Sequence, residues 1–127
     1  LKGLIESCDK AVVSEKWLGK IQVQEFLSKS KAIIIPSLWY EADPLTSIEA
    51  ASLSVPRVVS IHCSAANDVC NMEDGIVIDP YNVFSFAATL KNIVDGKIDM
   101  VAIASNATRA FNAQMADRKK LNKEFKW

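Results

Sequence analysis

The chain has 127 residues, half of them apolar, with 15 basic and 15 acidic side chains and no net charge. That is enough for one compact domain with a core and too little for two. The neutral balance excludes a general nucleic-acid binder, and no apolar run approaches a membrane span. LKGLIESCDK has neither the apolar core nor the cleavage pattern of a signal peptide, so a cytoplasmic protein is expected.

Residues 2–11 read as a helix with Leu4, Ile5, Cys8 and Ala11 on one face. KWLG is a short extended piece punctuated by Gly19. VQEFLSKS follows as a brief helix that should bury Val23, Phe26 and Leu27. KAIIIPS is the clearest strand, and its unbroken apolar run predicts burial on both faces, as in a parallel sheet.

Pro44 through Ser54 forms the next helix, stopped before Pro56. Asp43 suits its N-cap and Pro44 its first helical position, where the missing N–H does no harm. RVVSIH is a second buried strand, followed by a polar turn and one helical turn at SAANDV. Asp74-Gly75 marks a turn into a third buried strand, IVID, closed by Pro80. VFSFAATLKNIVDG is a helix ending at Gly96, with Phe84, Ala87, Ala88, Leu90, Ile93 and Val94 on one side. A long C-terminal helix from Asp99 carries the stripe Met100, Ile103, Ala107, Phe111, Met115. Strands alternating with helices over short loops mean an α/β parallel sheet, with ligands bound outside the carboxyl ends of the strands.

Three cysteines, Cys8, Cys63 and Cys70, form no CxxC and read as buried reduced thiols. A metal site from His62, Cys63 and Cys70 would need a fourth ligand that no spacing supplies, and no metal or cofactor is expected. Arg57, at the start of its strand, reads as a surface residue.

Carboxylates crowd the end of the first strand in PSLWYEADPLTSIEA. The N–H groups of Leu45 and Thr46 leave the helix end, free to bond either Asp43 or an anionic ligand such as phosphate. At 100° per residue Glu49 falls between Leu45 and Leu53, the side expected to be buried, with Ser47 and Ser54 opposite. A carboxylate there needs partners, and two ribose hydroxyls suit it; the alternative is that Glu49 edges out to solvent. Glu41 alone reads as a solvated loop charge. Trp39 and Tyr40 could stack on a ligand ring or anchor the loop against the helix.

The ordered set of Glu41-Ala-Asp-Pro-Leu-Thr-Ser-Ile-Glu49, EAASLSVPRVVS and GIVIDPYNVFSFAATLKNIVDG resembles a known pattern, E-x7-E, EAMAxGxPVxxS and GxLVxPxDxxxLAxxIxxLLxD. It is similar to the nucleotide-sugar-binding half of the group-1, retaining GT-B glycosyltransferases. The resemblance implies a Rossmann-like parallel sheet with flanking helices, with KWLG, AIII, RVVS and IVID as strands three to six of the order 3-2-1-4-5-6. It implies Glu41 beside the transferred sugar as the catalytic position, and donor binding by Ser37, Leu45, Thr46 and Glu49. The partners implied are a nucleotide-diphosphate sugar and an acceptor sugar, lipid or polysaccharide, and no nucleic acid. Where the pattern has GGxxE, this chain has Ser64, Ala65 and Asp68.

The pattern's first two strand-helix units do not precede KWLG. The chain is therefore expected to be a fragment of a longer protein, a degenerate relative or a rearranged sheet, with AIII at an unpaired edge and no transferase activity alone. The rival expectation is a non-catalytic nucleotide-sugar or protein-interaction module on the same fold. The tail RKKLNKEFKW reads as a solvated basic helix face, or as a peripheral contact with an anionic membrane.

Overall fold

A computed structural model describes residues 18–42 and 44–124. The expected helix at 2–11, Cys8, Lys16 and Trp17 of KWLG, Asp43 and the last three residues of the tail lie outside them. Leu18 and Gly19 are in neither helix nor strand.

The elements run α1 (Lys20–Ser28), β1 (Ile33–Ile35), α2 (Leu45–Ser52), β2 (Arg57–Ser60), a 3-10 turn (Ser64–Asp68), β3 (Ile76–Ile78), α3 (Val83–Val94) and α4 (Met100–Glu124). The three strands form a parallel sheet in the order β1-β2-β3, with Ile35 opposite Val59 and Ser60 opposite Ile78. Parallel pairing requires a crossover, and α2 and the long link through the 3-10 turn provide the two. This is the expected Rossmann-like α/β arrangement, including the long C-terminal helix.

Period-two alternation sends β2 to two cores. Val58 joins Ile76 and Ile78 under Ile93 of α3 and Ile103 of α4. Val59 faces the other way, with Cys63, Ala65 and Val69. A third cluster, Leu27, Ala50 and Val55, holds α1 and α2 against the β1 side. Val58 and Val59 are completely buried, each worth roughly 1.5–3 kcal/mol relative to exposure.

Gly75 brings the turn before β3 against β2. A Cβ there would lie 2.8 Å from Val69 Cγ1 and 3.1 Å from the Arg57 carbonyl oxygen. Gly96 ends α3 at φ +71°, with Lys97 N–H donating to the Asn92 carbonyl, a left-handed C-cap as expected.

The structure corrects several expectations about faces. β1 is not buried on both sides: Ile34 is 45 % exposed, because among the described residues β1 pairs only with β2. Phe26 is exposed while Leu27 is the buried residue of α1. In α3 only Ile93 is fully buried, and Phe84 is 91 % exposed. A helix crossing a three-stranded sheet covers only a narrow stripe of its own surface.

Helix α2 is turned from the expected phase. Ser47, Ala50 and Ala51 face inward and Leu45 is 72 % exposed. Small side chains let the helix approach the sheet closely, and the hydroxyl of Ser47 receives a 3.4 Å contact from Arg57. Pro44 occupies the N-cap position rather than the first helical one. Arg57 is buried, contrary to its reading as a surface residue, and Cys70 is exposed rather than buried. The α4 stripe holds, with Ile103 and Ala107 buried and Met100, Phe111 and Met115 partly so. Among the described residues no helix is long and apolar enough to cross a membrane.

Candidate functional site at the carboxyl ends of the strands

The segments leaving the three strands are tied to one another. After β1, the Ser37 hydroxyl donates to the Glu41 carboxylate. Glu41 itself is held on both sides of its main chain. Its N–H donates to the His62 carbonyl at 3.1 Å, and its carbonyl accepts from Ser64 N–H at 2.9 Å. This is a parallel bridge to Cys63 that extends the β1–β2 pairing beyond the sheet. Ser60, the last residue of β2, donates from its hydroxyl to the Ser37 carbonyl at 2.7 Å and accepts from His62 N–H at 3.1 Å.

The loop after β3 closes the third side. Tyr81 donates its phenol to the Leu38 carbonyl at 2.8 Å, and its ring meets His62 edge-on with centroids 5.5 Å apart. His62 Nε2 is buried and has no hydrogen-bond partner among the described residues. Buried donors and acceptors are normally paired, so this nitrogen marks the cluster as polar ground rather than core.

Of the positions singled out from the sequence, Ser37 and Glu41 are brought into direct contact. Leu45 and Thr46 are exposed in the first turn of α2. Pro44, in the cap position, has no side-chain oxygen to satisfy their N–H groups. Glu49 lies one turn further along α2, half-buried. Among the described residues its carboxylate has no ion pair or hydrogen bond. Its buried placement between two leucines does not hold, because Leu45 is open to solvent. Trp39 and Tyr40 are both strongly exposed, so they do not anchor the loop against α2.

The sequence does not mark Ser60 or Tyr81, and it marks His62 only as a metal-ligand candidate. Ser60 carried a usable signal, a hydroxyl at the carboxyl end of a buried strand. Tyr81 carried none, because its partner is 43 residues away. Among the described residues no three His, Cys, Asp or Glu side chains are placed to hold a metal ion, so His62, Cys63 and Cys70 do not form a metal site.

Sequence comparison connects this geometry to known proteins. Residues 2–110 match the family described as "Glycosyl transferases group 1". The chain is also similar to "Sucrose synthase 2" of Arabidopsis thaliana, 29 % identical over 69 residues. That match covers 54 % of this chain and 9 % of the relative, so the chain spans a small part of that enzyme's length. With a family match across most of its length and a parallel α/β sheet beneath it, the chain belongs to the group 1 glycosyl transferases.

Proposed function

We propose that the chain is the donor-binding part of a GT-B glycosyltransferase, holding a nucleotide-diphosphate sugar for transfer of its hexosyl group to an acceptor hydroxyl. The diphosphate lies at the start of α2, on the N–H groups of Leu45 and Thr46. The helix end supplies partial positive charge and N–H donors that have no partner among the described residues. Glu49, one turn along, takes the ribose hydroxyls, one on each carboxylate oxygen. Ser37 and Glu41 stand beside the sugar.

The observation that carries this reading is the fixing of Glu41. Two main-chain hydrogen bonds fix its backbone at the carboxyl ends of the strands, and the Ser37 hydroxyl fixes its carboxylate. A solvated loop carboxylate has no use for that restraint; one that must meet a sugar hydroxyl in a set position does.

In the transfer, the acceptor oxygen bonds to the anomeric carbon as the carbon–oxygen bond to the diphosphate breaks. A diphosphate oxygen takes the acceptor proton. The chain contributes positioning and stabilisation of the leaving charge. The five donor-side residues include two carboxylates and no Lys or Arg, which leaves most of the diphosphate charge to the helix end. Binding without turnover is therefore expected of this chain alone.

The test is titration with UDP, GDP and ADP, followed by melting and calorimetry. One nucleotide should raise the melting temperature, by about 2.7 kcal/mol of added stability at one hundred times Kd. Glu49→Ala should weaken it at least about tenfold, and Ser105→Ala, on the exposed side of α4, should not. A melting temperature indifferent to all three would favour the non-catalytic module. Ser64 and Ala65, where the family pattern has glycines, give that second reading its footing, since Ala65 is buried against the core.

A further inference from the structure

Arg57, the first residue of β2, is 8 % exposed. Its guanidinium makes one long hydrogen bond, 3.4 Å from Nη1 to Ser47 Oγ, and its Nε–H is buried without an acceptor. None of the ion pairs among the described residues includes it. Burial disfavours its charge more than the nearby carboxylates of Asp74 and Asp68 favour it, and the unmatched Nε–H adds to that cost. Arg57 therefore calls for an outside acceptor.

Its side chain lines a groove between α2, the 3-10 turn and α4. The inner part encloses about 40 Å³ against Ser47, Ala51, Phe111 and Met115. The outer part, about 250 Å³, adds Ala110 and Asp117 and shares Arg57, Asp68 and Gln114 with the inner part. On α2, Ser47 and Ala51 point to the opposite side of the helix from Glu49. The groove opens away from Glu49, while Pro44, Ser64 and Ala65 at its inner end border the donor site.

The charges of the walls select the ligand. An anion would meet Arg57 but be repelled by Asp68 and Asp117, and a cation would meet the reverse. A neutral polyol satisfies both signs, because each hydroxyl oxygen can accept from Arg57 while its hydrogen is donated to a carboxylate. Gln114, which reaches Asp68 across the groove at 3.4 Å, can do either. Phe111 and Met115 offer apolar surface to the C–H face of a sugar ring. The volume lies below the ~300–1,000 Å³ of pockets for drug-sized ligands, enough for one ring and too small for a nucleotide sugar.

We propose that this groove binds a single monosaccharide unit, free or at the end of a glycan, with Arg57, Asp68 and Gln114 on its hydroxyls and Phe111 beneath its ring. The test is saturation-transfer NMR on the 127-residue chain with glucose, galactose, mannose and N-acetylglucosamine in turn, with inorganic phosphate as the anion probe. At least one sugar should give transfer. Gln114→Ala should weaken it about fivefold, the loss of one hydrogen bond. That side chain is exposed on a helix, so its removal leaves the fold intact. Glu49→Ala should leave the transfer unchanged. No transfer from any sugar would overturn the proposal. So would transfer that Glu49→Ala removes and Gln114→Ala keeps, or a melting temperature raised by phosphate and by no sugar.

Discussion

The hydroxyl of Ser37 donates to the carboxylate of Glu41, across the four residues that leave β1. Neither side chain belongs to a helix or strand, yet each is held from β2. Ser37 is held through the Ser60 hydroxyl and Glu41 through the backbone around Cys63. The loop is thereby a continuation of the sheet.

From this follows a split between sugar and nucleotide. In Ser37→Ala the Glu41 carboxylate loses its side-chain donor but keeps its main-chain bridge. Affinity for the intact nucleotide sugar should fall about fivefold, the worth of one hydrogen bond, while affinity for the bare nucleotide stays unchanged. Paired calorimetric titrations decide it, and equal loss for both ligands would contradict the placement of Glu41 beside the sugar.

Ser54 sits between α2 and β2 at φ +62°, in the left-handed region that favours glycine. In EAMAxGxPVxxS, the pattern that EAASLSVPRVVS resembles, this is the glycine. Ser54→Gly should therefore stabilise the chain by about 1 kcal/mol in urea denaturation, since relief of the left-handed strain outweighs the added freedom of the unfolded chain. An unchanged midpoint would mean that the serine is not strained there.

Gly75 is held by contact rather than by conformation. A Cβ at that position meets both Val69 and the backbone of β2, and the Arg57 carbonyl cannot yield. Gly75→Ala should lower stability by about 1–3 kcal/mol. Combining it with Val69→Ala should restore only part of that loss relative to Val69→Ala alone, because the Arg57 carbonyl contact stays. Full recovery in the double-mutant cycle would place the whole clash at Val69.

The exposed thiol of Cys70 is held above the ordinary thiol value. A hydrogen bond with the Glu73 side chain is the largest cause, with burial and the charges of Glu73 and Asp74 adding to it. A raised folded-state value means that the folded chain keeps the proton after the unfolded chain has released it. Its stabilising contribution is complete below the unfolded thiol's pKa and is lost as pH rises through the folded one. Iodoacetamide should accordingly alkylate native Cys70 more slowly at pH 8 than the unfolded chain, and Glu73→Gln should speed the native reaction. Equal rates in the two proteins would remove Glu73 from the account.

Sequence alone determined the family and the order of the elements from α1 to α4. Runs such as RVVS and IVID, alternating with helices over short loops, point to a parallel sheet, and the spacing of Glu41, Glu49 and the segments after them carries the pattern. It also placed Ser37, Glu41, Leu45, Thr46 and Glu49 near the carboxyl ends of the strands. Only the tertiary structure decided which faces are covered. Periodicity gives an apolar stripe its angle but not the neighbour it meets, so α2 turned Ser47 and Ala51 inward instead of Leu45. The same uncertainty of phase hid Arg57, whose position at the start of a strand says nothing of a helix 50 residues later that closes over it. Ser60, His62 and Tyr81 join the site through bonds between distant loops, and contacts of that range leave no periodic trace along a chain.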